Sequence, residues 1–102
     1  MRLVVFFDLP TETKEDRRNY RIFRQFLLRD GYDMIQFSVY ARICNGSDRL
    51  EKHVARLSPN VPAKGSVRYM QVTEKQFTSM GILVGKKKRA EKAISSSQLS
   101  FF

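Results

Sequence analysis

The stretch Arg2-Leu3-Val4-Val5-Phe6-Phe7-Asp8-Leu9-Pro10 decides the fold. An apolar run of this length, closed by a charge and stopped by proline, reads as a strand buried on both faces at the centre of a sheet. Alternation sends Leu3, Val5 and Phe7 to one side, and Val4, Phe6 and Asp8 to the other. Asp8 then stands at the carboxyl end of that strand.

Working outward, Thr13 is placed to cap a helix, with Asp16 three positions on as a capping-box variant and Glu15 in the first turn. The helix is predicted over Lys14 to Asp30, with Gly31 as its C′ residue. Its wheel separates Tyr20, Phe23, Phe26 and Leu27 from Lys14, Arg17, Arg18, Arg21, Arg24 and Arg29. Met34 to Ile43 alternates strictly, as one long strand or two short ones broken near Ser38. Asn45-Gly46 makes a turn, and Ser47 is expected to cap a second helix to Leu57, with Leu50, Val54 and Leu57 inward. Ser58 to Pro62 reads as loop, Ser66 to Thr73 as a strand, and Gln76 to Val84 as a short strand interrupted by Gly81.

That order predicts an α+β fold, a ferredoxin-like split βαβ sandwich. Both helices cover one sheet face, leaving Val4, Phe6 and Tyr40 on the other. An apolar open face on so small a chain argues for a homodimer joined through it. The domain is expected over residues 1–85, with residues 86–102 as a basic, serine-rich tail for docking a partner.

The 102 residues make one domain, 42% hydrophobic and 28% charged. Nineteen Lys and Arg against ten Asp and Glu leave +9, which fits a polyanionic partner. A single cysteine, Cys44, excludes an intramolecular disulfide and favours a reducing cytoplasm. One His beside one Cys argues against structural zinc. No apolar run is long enough to span a membrane, and the apolar start is too short for a signal peptide.

The arginine stripe places like charges at i,i+4, Lys14/Arg18 and Arg17/Arg21, with no acid interspersed on that face. Such pairs are mildly destabilising, so the stripe suggests phosphate contact, salt-dependent and poorly sequence-specific, over a merely solvated surface. Asp8 is either a turn cap or a metal ligand. One carboxylate is thin support for Mg²⁺, although a two-fold dimer brings two copies together; Glu12, Asp30 and Asp33 each fit a cap or turn. His53 reads as a packed helix histidine and Cys44 as an apolar filler. Lys86, Lys87, Lys88 and Arg89 form a solvated linker or a second phosphate contact. Leu99, Phe101 and Phe102 are unusual for a free tail, and either pack back or add to a partner's edge.

Four segments in order, Val4 to Pro10, Arg17-Arg18-Asn19-Tyr20-Arg21, Gln36-Phe37-Ser38-Val39-Tyr40 and Val72-Thr73-Glu74-Lys75-Gln76-Phe77, resemble the CRISPR-associated protein two family. These are the small partners of the CRISPR spacer integrase, and the third and fourth segments look most like members from type II systems. The resemblance covers nearly the whole chain to Val84. It implies a ferredoxin-like homodimer whose last strand crosses to the partner's sheet. It implies bridging of two integrase dimers in a heterohexamer, with duplex DNA across the basic surface held by the first-helix arginines. Leu99 and Phe101 would dock on the integrase. Asp8 would be the metal position, its two copies facing across the dimer axis over Mg²⁺. Members are described as Mg²⁺-dependent endonucleases on RNA or DNA. The chain offers no second acid as general base, so a DNA-holding scaffold ranks above a nuclease.

Overall fold

The alternating run becomes strand β1 (Arg2–Asp8), which is paired on both sides. In chain order follow α1 (Lys14–Arg29), β2 (Asp33–Gln36), β3 (Val39–Ile43), α2 (Gly46–Leu57), a 3₁₀ turn (Ser58–Asn60), β4 (Ser66–Val72) and α3 (Glu74–Thr78). The sheet order is β2-β3-β1-β4, with every neighbouring pair antiparallel. Two βαβ units therefore interleave in a small α+β domain. The computed structural model describes residues 1–83, without the side chains of Ser47 and Asp48. The boundary expected after residue 85, the Lys86–Arg89 run, and Leu99 and Phe101 lie outside the described residues.

Leu3, Val5 and Phe7 face the helices and are 0%, 0% and 8% exposed. They pack with Phe23 and Leu27 of α1 and Leu57 of α2, beside Tyr32, Tyr40 and Cys44. Each fully buried side chain of this size contributes roughly 1.5–3 kcal/mol. Phe7 is the hub, its ring 5.0 Å from Phe23 edge-on and 5.8 Å from both Tyr20 and Tyr40.

Both ends of α1 form as the local chemistry dictates. Thr13 Oγ1 accepts from the Asp16 amide at 3.0 Å, and the Asp16 carboxylate accepts from the Thr13 amide at 3.2 Å. Asp16 is buried there, with Lys64 at 3.9 Å. At the other end Gly31 takes φ 98, while Gly31 N–H bonds Leu28 O and Tyr32 N–H bonds Leu27 O. That pair of bonds is the Schellman arrangement, which favours glycine at this position.

Three expectations need correction. Tyr40 lies on the helix-covered face, not the open one: it pairs with Val5 and is 1% exposed. Of the two readings left open for Met34 to Ile43, two short strands broken near Ser38 is the one observed: the chain reverses at Phe37-Ser38 with Ser38 at φ 65. Helix α2 begins two residues earlier than a Ser47 cap would place it, at Gly46, with Asn45 as N-cap and no side-chain cap bond. The short strand expected from Gln76 is instead α3. Thr73 Oγ1 accepts from the Gln76 amide at 3.0 Å and Gln76 Oε1 accepts from the Thr73 amide at 2.9 Å, a complete capping box that nucleates a turn of helix.

Helix α3 folds against the Arg2 end of the second sheet face. The Arg2 guanidinium lies 4.4 Å from the centre of the Phe77 ring and 2.6 Å from the Glu74 carboxylate. The rest of that face keeps Val4 and Phe6 half-buried and Ile43 and Met70 exposed.

Candidate nucleic-acid interface

The polar side of α1 is presented to solvent because its opposite side carries Phe23 and Leu27 into the core. Lys14, Arg17, Arg18 and Arg21 line one depression of about 520 Å³. Glu15 lines it too, so the face is not wholly free of acid as its spacing suggested. Arg17 is committed: it donates to the carbonyls of Thr11 and Glu12 at 3.1 Å each and so ties the helix to the turn before it. Among the described residues, Lys14, Arg18, Arg21 and Arg24 form no ion pair. Arg24 is half-buried and does not line the depression. Three unpaired cations thus share one shallow surface, and a polyanion would relieve their mutual repulsion.

Asp8 is exposed at the end of β1, directly across from Ser66 on β4. It shares a second depression, about 360 Å³, with Phe6, Phe37, Ser38, Ser66 and Arg68. Arg68 pairs with Phe6 and so belongs to the same sheet face. Leu9, buried, anchors the chain just beyond. Gly65 lets β4 approach: at φ 91, a Cβ there would lie 2.6 Å from the Asp8 carbonyl oxygen.

The other acids do not converge on Asp8. Asp30 is held by Arg56 at 2.8 Å, and its carbonyl accepts from Arg42. Asp33 sits on β2 at the far edge of the sheet. Among the described residues no group of three or more His, Cys, Asp or Glu is arranged to hold a metal. Mg²⁺ ordinarily takes one or two carboxylates with waters and substrate oxygens. Here one carboxylate stands beside two serine hydroxyls and a guanidinium, so a single chain does not by itself build a magnesium cradle.

His53 and Cys44 lie elsewhere and are buried. His53 Nδ1 accepts from Arg56 at 2.7 Å, and burial, reinforced by Arg42 and Arg56, holds its pKa below the ordinary value. Nearby Tyr32 is pushed up to about 12, first by burial and then by Asp30. These groups are structural. Sequence reasoning did not single out Arg68, Ser66 or Phe37; Arg68 was visible only as a charge at an alternate position in β4.

Together, the four-stranded sheet, the basic helix face and the strand-end carboxylate define a small α+β protein with a cationic surface suited to nucleic acid. Residues 1–80 match the family of CRISPR associated protein Cas2. A protein of Acidovorax ebreus named CRISPR-associated endoribonuclease Cas2 is 58% identical over 102 residues, covering all of both chains. One of the same name from Parvibaculum lavamentivorans is 44% identical, again over all of both chains. The crystal structure of Streptococcus pyogenes Cas2 superposes with a TM-score of 0.65 at 20% identity, over 82% of this chain and 100% of that one, and supports the fold. The chain belongs to the CRISPR associated protein Cas2 family. Among the described residues no helix is long and apolar enough to cross a membrane.

Proposed function

We propose that this protein serves CRISPR adaptation, the acquisition of spacers, as a dimeric scaffold. It holds duplex DNA on the α1 face and bridges two dimers of an integrase in the cytoplasm. The observation that carries the reading is the cluster of Lys14, Arg18 and Arg21, cations on one exposed helix face that form no ion pair among the described residues. Phosphate contacts of this kind position a duplex without reading its sequence. The half-buried Val4 and Phe6 on the uncovered sheet face supply the surface through which two copies pair.

Salt dependence tests it. Each phosphate contact steepens the fall of log affinity with log salt by about 0.9. An Arg18→Ala/Arg21→Ala protein should therefore bind duplex DNA more weakly and with a slope shallower by about 2. An unchanged slope, or wild-type protein that does not retain duplex DNA, would overturn the reading. Integrase docking by Leu99 and Phe101 is tested by pull-down: a chain ending at Arg89 should lose the integrase and keep DNA.

A second reading is favoured by the exposure of Asp8 and by the endoribonuclease name its relatives carry. In it, two copies bring their Asp8 carboxylates together over Mg²⁺, the second acid that one chain lacks, and the protein is an endonuclease on RNA or DNA. Asp8→Asn should then abolish Mg²⁺-dependent cleavage and leave duplex binding intact. Equal cleavage by variant and wild type would remove Asp8 from that role.

A further inference from the structure

Phe37 is 72% exposed at the tip of the β2–β3 hairpin. A lone exposed phenylalanine is ordinary. This one differs because its orientation is fixed. Its ring lies parallel to Tyr20, 15° between planes and 5.5 Å between centres. Tyr20 is itself packed on Phe7, and its hydroxyl shares a 2.9 Å hydrogen bond with Ser38 Oγ. The Ser38 carbonyl accepts from the Phe7 amide at 3.1 Å. Ser38 holds φ 65 without being glycine, a conformation that persists only where the surrounding structure enforces it. One face of Phe37 is thus braced, and the ring is otherwise largely in solvent.

Its position lies between Tyr20 of α1 and the Asp8 depression. On α1, Arg17 is three residues before Tyr20 and Arg24 four after it, the spacings that place side chains beside one another on a helix. Phe37 therefore rests on the tyrosine between two arginines of the stripe. It also lines the depression that holds Asp8 and Arg68.

We propose that Phe37 is a stacking platform for an unpaired nucleobase, with Arg68 meeting an adjacent phosphate. The base must be unpaired, because a base within a duplex is covered on both faces by its neighbours. The ligand is thus a single strand or an overhang at a duplex end. An apolar ring accepts any base, so little sequence preference is expected. This rests on the nucleic-acid reading above and adds to it a site for single-stranded nucleotides.

The experiment compares the full-length protein binding a blunt duplex with the same duplex carrying a short single-stranded overhang that contains 2-aminopurine. Wild type should prefer the overhang and quench its fluorescence. Phe37→Ala should lose that preference by about 5- to 150-fold, the range for removing one base–aromatic stack, with blunt-duplex affinity unchanged. Phe37→Tyr should retain the preference and Phe37→Leu should not. The inference is overturned if Phe37→Ala binds both ligands as wild type does, or weakens both equally. It is also overturned if Phe37→Ala changes the oligomeric state by light scattering, which would make the ring a contact with a second copy. Wild type binding neither ligand would overturn the nucleic-acid reading as well; blunt binding with no effect at Phe37 would overturn the stacking site alone.

Discussion

Phe6 and Phe7 are neighbours in the chain and opposites in the fold. Phe7 sits among three aromatic rings beneath the helices, whereas Phe6 faces away from them, cross-strand from Arg68. One strand thus serves two surfaces whose demands differ. The covered face closes with Leu3, Val5 and Phe7 and satisfies itself. The other face is divided, sealed at the Arg2 end by Phe77 and Glu74 of α3 and left open at the Asp8 end. Stability is concentrated on the first face, while the second leaves Asp8 and Arg68 open to another molecule.

The sharpest way to break that contrast is to truncate both phenylalanines. Phe7→Ala should lower unfolding free energy by about 3–5 kcal/mol, the usual range for a buried phenylalanine. That is a large share of the roughly 5–15 kcal/mol that holds a domain together. Phe6→Ala should cost the single chain about 1 kcal/mol or less in urea denaturation, and instead weaken the pairing of copies. Equal losses would mean that the two faces are packed alike.

A smaller effect belongs to the covered side. Burial and the charges of Arg42, Arg56 and Arg49 hold His53 below its ordinary 6.5, with Asp30 opposing them. The unfolded chain therefore binds more protons in the window just below 6.5. Stability contributed by the neutral ring is complete above that pH and declines as pH falls through the folded value. Urea midpoints should drop over this window in wild type and flatten in His53→Gln. Glu74, held low by Arg2, acts only below its ordinary 4.5 and leaves the window clear. An unchanged slope in His53→Gln would place the sensitivity elsewhere.

The least effect is expected at the sealed end of the open face. Arg2→Ala removes both the ring contact and the exposed ion pair, and exposed pairs contribute little. The global midpoint should barely move, while amide exchange in Glu74–Thr78 accelerates. Unaltered protection there would show that α3 stands on its capping box alone.

The parts of this fold that were legible in the sequence are those set by near neighbours. Alternation in β1, the Thr13–Asp16 box and Gly31 each follow from a few adjacent residues. Tyr40 was misplaced because its face depends on pairing with Val5, a relation between distant strands that alternation within one strand does not fix. Helix α3 is only five residues, too short to show a period, and its one readable sign was Thr73 with Gln76. The arginine stripe was legible because a helix wheel is local. Its pinning of Arg17 to the Thr11 and Glu12 carbonyls was not, since that bond depends on the path of the preceding turn. The Asp8 depression was hidden for the reason that hid Tyr40: Arg68, Ser66 and Phe37 reach it from other strands.

Gly65 limits what this protein can become. A methyl group at that position would press on the Asp8 carbonyl oxygen and on Leu9, and the backbone there already adopts a hand that side chains resist. Nineteen of the twenty amino acids are therefore shut out for a reason unrelated to the chemistry of the carboxylate. Were the charge on Asp8 dispensable, Asp8 could drift while Gly65 stayed fixed; were it indispensable, both would be locked. A library randomised at the two positions, selected first for folded protein and then for the proposed role in spacer acquisition, would separate the demands of shape from those of charge.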